Sequence, residues 1–199
     1  MRRSNRLAHL ALAWVLTLSA FAGAQAEVPD GFDPELWREG YRVFTEIGGM
    51  GCAGCHGRYG ANELGVGPVI RGVDAVRIEG AVAGMQAMVF LQALITPAEI
   101  DAVAHYLAYL GTMEPAVVTM RRGEFEPAEV TLPAGAPVQL ILNNQDRGDC
   151  TWTVTAEGVE PVVVGSRTTG AIDWTTAAAG TLEAFCAEAP DGRLTVVLE

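Results

Sequence analysis

The feature that most constrains this chain is a change of hydrophobic period near residue 111. Up to that point apolar residues recur every three to four positions, and beyond it they alternate, so the chain must build a helical unit followed by a sheet unit. In "DPELWREGYRVF", Asp33 is a helix N-cap, Pro34 occupies the first helical position, and Trp37, Tyr41 and Phe44 repeat at i, i+4 and i+7. "TPAEIDAVAHYLAYLG" carries the capping box Thr96-x-x-Glu99, the stripe Ile100, Val103, Leu107 and Leu110, and Gly111 to stop the helix. A shorter helix is predicted between them, over 73–84. From Val117 onward come "EVTL", "VQLILN", "TWTVT", "TTGAIDW", "TLEAFC" and "LTVVL", separated by turn signals such as Pro133-Ala134-Gly135 and Asp191-Gly192, the pattern of a small sandwich. The reading is therefore a helical unit over 27–111, a linker over 112–116 and a strand unit over 117–199.

The first 26 residues hold three arginines, an apolar run from Leu7 to about Ala22 and then Ala24-Gln25-Ala26, the three parts of a cleaved secretory signal. The apolar run is shorter than the roughly 20 residues of a membrane-spanning helix. No later segment is long and apolar enough to cross a membrane, so a periplasmic or secreted protein with no span after cleavage is expected, in a compartment where disulfides persist. The chain has no lysine. Its formal charge of −11 becomes −14 when the three N-terminal arginines leave. Such acidity excludes nucleic acid as a partner and favours a protein partner with a basic docking face.

Four cysteines fall into two unlike pairs. Cys52-Ala53-Gly54-Cys55-His56 lies in the helical unit, whereas Cys150 and Cys186 lie far apart in a strand unit that has no histidine. The first pair has several readings. A zinc knuckle needs two more ligands, and the only other histidine of the mature chain, His105, sits on the face of its helix opposite the apolar stripe, as a solvated surface residue. A thioredoxin-like dithiol needs a preceding strand and a βαβ setting, but a helix and "GGMG" precede this pair. A plain disulfide also remains open. In a secreted chain, Cys-x-x-Cys-His is the signal for covalent haem c, with both thiols bonded to the haem and the histidine under its iron.

The surroundings of that motif resemble the class I monohaem cytochromes c over residues 33–111. The resemblance rests on Gly40 and Phe44, "CAGCHG", "GVGPVIRG", "EGAVAGMQAMVF" and Tyr106. It implies a close crossing of the first and last helices at Gly40, with Phe44 and Tyr106 at the contact. It implies that Cys52 and Cys55 bind the haem, that His56 and Met88 are the axial ligands of the iron with Met85 as the alternative, and that the Pro68 carbonyl fixes the His56 ring. Phe44 stands eight residues before Cys52, farther than the family pattern, and "EIGGMG" is read as an extra loop. Met-Val replaces the family's Met-Pro at Met88.

The strand unit resembles the cupredoxins over residues 117–199, through "FEPAEVTLPAGAPVQLILNNQD", "CTWTV" and "GTLEAFC". That likeness implies a Greek-key sandwich. It places Cys150 where a histidine ligand of copper stands and Cys186 where the copper-binding cysteine stands. The second histidine and the methionine of a type 1 copper centre have no counterparts in "AEAPDGRL", so no copper is expected. Alternation turns both thiols inward, and the family geometry brings them together, implying a Cys150–Cys186 disulfide. A two-thiolate Cu(I) site is the alternative. Trp152, Trp174 and Phe185 read as sandwich core or rim, and Arg71, Arg121 and Arg122 as solvated surface.

Together these readings give a multi-domain chain, an all-α cytochrome c fold followed by an all-β cupredoxin-like sandwich. The expected role is electron transfer, as a soluble carrier or a carrier subunit of a redox complex, with redox proteins as partners and no catalytic residues. A methionine opposite the histidine would leave no open position at the metal. The alternatives are a haem subunit of an oxidase or peroxidase, and a copper-handling assembly protein that uses Cys150 and Cys186.

Overall fold

A computed structural model describes residues 31–199; the signal sequence expected over 1–26 lies outside them. Helices occupy the first half and strands the second. The first helix, α1 (Pro34–Glu46), starts where Asp33 accepts from the backbone of Glu35 and Leu36, at 3.0 and 2.8 Å. α2 (Ala53–His56) is a single turn that carries the second cysteine and the histidine. α3 (Ala75–Gly84) is capped by Asp74, two residues after the predicted start. α4 (Pro97–Leu110) begins with the full capping box of Thr96 and Glu99. Among the described residues no helix is long and apolar enough to cross a membrane.

α1 and α4 cross at Gly40, where an added Cβ would overlap the carbonyl of Ala102 and lie 2.9 Å from Tyr106 Cβ. Only a residue without a side chain permits that approach. Around it Trp37, Tyr41 and Phe44 surround the Tyr106 ring at centroid distances of 5.6, 5.6 and 5.4 Å. Phe44 is fully buried despite its unusual spacing from Cys52. The expected extra loop is a short 3-10 turn, Ile47–Gly49, in which Gly48 has φ 64°.

The strand half packs two sheets face to face. One has the order β2-β1-β4-β7, from β1 (Glu114–Arg121), β2 (Glu124–Glu126), β4 (Pro137–Asn144) and β7 (Thr169–Thr175). The other has the order β3-β9-β8-β5-β6, from β3 (Glu129–Leu132), β5 (Cys150–Val154), β6 (Val162–Val164), β8 (Gly180–Cys186) and β9 (Ala189–Leu198). β1 and β4 are parallel, as are β3 and β9; the other pairings are antiparallel. Between the sheets Trp152, Leu140, Leu142, Leu194 and Val196 are fully buried. Non-sequential neighbours and two inward apolar faces give an all-β cupredoxin-like sandwich.

Three expectations need correction here. Residues 112–116 are not a free linker, because Met113 is buried in the helical core and β1 already begins at Glu114. His105 is not a solvated surface group: its Nε2 accepts from the Asp33 backbone N–H at 3.2 Å and its ring meets Phe32 edge-on, because the chain ahead of α1 wraps over α4. Arg71 is drawn between the two halves, donating to Tyr59 O, Gln139 Oε1 and Met113 O at 3.0, 2.6 and 3.2 Å. Of the other two arginines, Arg121 binds Gln145, and Arg122 takes a positive φ in a turn tied to Asp146. Trp152 is core, Trp174 packs at its margin, and Phe185 lies under the Arg193 guanidinium at 4.4 Å.

Candidate functional site

The helical half encloses a strongly apolar cavity lined by residues from α2, α3, α4 and the segments between them, among them Cys52, His56, Pro68, Ile78, Met85, Met88 and Leu107. Local backbone bonds set its floor. Cys52 O accepts from His56 N at 2.9 Å, and Gly67 N donates to Cys55 O at 2.7 Å, drawing the following loop under the histidine. A Cβ at Gly67 would lie 2.9 Å from His56 Nδ1, so glycine is needed for that close pass. The next residue, Pro68, places its carbonyl oxygen 2.9 Å from His56 Nδ1. An imidazole held this way donates from Nδ1, leaving the lone pair of Nε2 for a metal. Beyond the histidine, Glu63 is buried and accepts from the backbones of Tyr59 and Ala61 at 2.7 and 3.2 Å, which pins the returning loop. No sequence pattern singles out Glu63, because its role is defined only by the fold of that loop.

Both methionines reach the cavity. Met88 is partly buried against the helical core, at the start of the 3-10 turn Val89–Ala93, whereas Met85 is 51% exposed. Cys52 and Cys55 are not bonded to each other. Burial pushes the Cys52 thiol up to about 11, so at neutral pH it is no thiolate and a poor member of a dithiol exchange pair. Arg77 of α3 also lines the cavity, the only carboxylate or guanidinium side chain among the described residues to do so.

In the sandwich, Cys150 at the start of β5 and Cys186 at the end of β8 form a disulfide with Cα atoms 5.1 Å apart. Both are buried, and Met120 of β1 lies against them with its Sδ 3.1 Å from Cys186 Sγ. Asn144, fully buried at the end of β4, donates to the carbonyls of Gly148, Val164 and Gly165 and fixes the loop that leads to Cys150. Sequence reading places the cysteines together but not Met120, whose strand it does not identify.

Residues 85–196 match the family model described as Cupredoxin-like domain, which is more than half of the chain. Among solved structures the chain is similar to the metal-binding domain of a Cu(I)-exporting P-type ATPase from Streptococcus pneumoniae D39, with 18% identity, 44% of this chain and 87% of that chain covered, and a TM-score of 0.39. Amicyanin from Paracoccus versutus gives 23% identity, 43% and 81% coverage and a TM-score of 0.34. Auracyanin from Roseiflexus castenholzii gives 11% identity, 45% and 99% coverage and a TM-score of 0.38. No curated protein matches the chain.

The family match overturns the expected cofactor complement of one haem c without copper, since the family shown is one of copper proteins. The side chains of this sandwich nevertheless do not fit a type 1 copper centre. Its two candidate sulfur ligands are bonded to each other and no histidine follows His105, so no step is assigned to such a centre. Among the described residues no group of three or more His, Cys, Asp or Glu is assembled to hold a metal ion. On the match over 85–196 and the two-sheet sandwich that closes most of it, the chain belongs to the cupredoxin-like domain family.

Proposed function

We propose that this chain is an extracytoplasmic electron-transfer protein, a carrier or carrier subunit, whose redox site is the cavity of the helical part. Cys52 and Cys55 would hold a prosthetic group covalently, and His56 and Met88, with Met85 as the alternative to Met88, would be the residues that bind its metal. The observation that carries this reading is the fixed imidazole: His56 Nδ1 is held by Pro68 O at 2.9 Å beside an apolar cavity that two methionines also line. When bound, the group supplies a metal that changes its oxidation state by one electron. With both His56 and Met88 as protein ligands, the group would pass single electrons rather than bind a substrate. Ile78, Val103 and Leu107 keep water away, and Arg77 offers a positive charge at the cavity. The disulfide of the sandwich accords with an oxidising compartment.

In this reading 27–111 and 117–199 act as two domains, and the sandwich is a docking module for a redox partner with a basic face. Two measurements test it. The mature protein, denatured and weighed, should exceed its polypeptide mass by one prosthetic group and carry one metal per chain; Cys52→Ala with Cys55→Ala should remove the excess. A mass equal to the bare polypeptide would overturn the assignment. Electron transfer to a basic partner protein should slow as ionic strength rises, and a flat response would remove the docking claim alone.

A further inference from the structure

One strand of the sandwich holds the loop on which the His56 ring depends. Along β4, Val138, Leu140 and Leu142 face the sandwich core, so alternation turns Gln139, Ile141 and Asn143 toward the helical half. Gln139 and Ile141 are 1 and 0% exposed there. Gln139 Nε2 donates to Asp173 of β7 at 2.8 Å, which leaves its Oε1 to accept from Arg71 Nη1 at 2.6 Å. Asn143 Nδ2 donates to Glu63 O at 3.2 Å. Arg71 and Glu63 both belong to loop 57–72, and each lies close to what fixes His56. Arg71 follows the Pro68 carbonyl by three residues, and the Glu63 carboxylate packs on Gly57, where an added Cβ would overlap it. Asn62 N donates to His56 O at 3.0 Å, and Ile70 N to Gly60 O at 2.9 Å, which ties the loop into one piece.

We infer that Gln139 and Asn143 are positioning residues for His56: the sandwich clamps loop 57–72, and through the Pro68 carbonyl it sets the orientation and basicity of the imidazole. The bond from His56 Nδ1 to Pro68 O is lost if the loop moves by less than an ångström, since a hydrogen bond weakens steeply beyond about 3.2 Å. A surface loop left to itself makes such movements freely. Gln139 cannot let go cheaply, because its buried amide oxygen would then have no partner. The consequence for the redox site rests on the role proposed for His56 above. An imidazole that donates from Nδ1 is a stronger base toward a metal at Nε2 and favours the oxidised state of that metal. The sandwich therefore tunes the redox site as well as offering a docking face.

The test reads the ring with and without the prosthetic group. In the mature chain carrying Cys52→Ser and Cys55→Ser, isotope-edited NMR of the histidine rings should find the His56 proton on Nδ1. Gln139→Leu with Asn143→Ala should shift that resonance and speed exchange of its proton about tenfold, the worth of one ordinary hydrogen bond. Asn143→Ala alone, which removes a single bond to the loop, should do the same to a smaller degree. His105, whose Nε2 accepts from Asp33 N, should not respond. Val196→Ala, which cuts into the sandwich core from the other sheet, should leave His56 as it is. In the loaded protein the double substitution should raise the reduction potential and Val196→Ala should not. A His56 resonance unmoved by the double substitution, or moved equally by Val196→Ala, would overturn the clamp. An unchanged potential beside a freed ring would overturn the tuning. The unloaded arm decides the clamp even where the mature protein proves to be bare polypeptide, so the clamp and the prosthetic group can fail separately.

Discussion

The two halves of this molecule each own a cysteine pair and use it in opposite ways. In the helical half the thiols sit three residues apart on one turn and stay unbonded beside a histidine and two methionines that line an apolar cavity. In the sandwich the thiols are 36 residues apart, bonded, and packed in a core with no histidine. The contrast shows that what a cysteine pair does is set by what surrounds it. A local pair next to a fixed imidazole adds almost no cross-linking entropy and makes sense as an attachment site. A distant pair between strands closes a long loop, and its first effect is on stability.

The largest expected effect follows from that difference. Replacing Cys150 and Cys186 with serine should destabilise the sandwich by about 4 kcal/mol on the chain-entropy model for a loop of this length, while the same replacement at Cys52 and Cys55 should cost far less. Chemical denaturation of both double variants checks this, and equal losses would erase the distinction between the pairs. Next in size is Gly40→Ala. Its new methyl would overlap the Ala102 carbonyl where α1 crosses α4, so α1 must shift, at a cost of about 3 kcal/mol as in overpacked cores. The loss should appear in the helical half alone, read by near-ultraviolet dichroism of its aromatic cluster. Smallest is Arg71→Met, which removes three hydrogen bonds linking the halves and should cost about 2 kcal/mol. In that variant one unfolding transition should split into two, one for each half.

Much of this contrast is legible in the residues. The caps Asp33 and Thr96–Glu99 stand where the sequence puts them, because capping depends on neighbours within four residues. The strands containing "EVTL" and "TLEAFC" keep their alternation because one face of each is more buried than the other, whereas β4, with "VQLILN", is buried on both faces and is found by its continuous apolar run. Strand β1 is missed for a different reason. Pro115 reads as a break, yet β1 pairs with β2 only through Thr119–Arg121, so its other edge is open at the proline and no hydrogen bond is lost there. Its partner β4 is parallel and distant in sequence, which local pattern does not reveal. Strands β2 and β6, with three residues each, are too short to show a period. His105 and Arg71 escape for a shared reason: a helical wheel sees one helix, whereas Phe32 reaches the first from outside its element and Gln139 meets the second from the other half of the chain. Met120 is hidden with its strand, so the three-sulfur cluster emerges only in three dimensions.

The electron-transfer site proposed above lies in the helical half and not in the sandwich that defines the family. Voltammetry of the mature protein adsorbed on an electrode, compared with His56→Ala and with Cys186→Ser, tests this most directly. A site in the helical half gives a reversible one-electron wave in the wild type that persists in Cys186→Ser and is lost or displaced in His56→Ala. A wave untouched by His56→Ala and abolished by Cys186→Ser would contradict it.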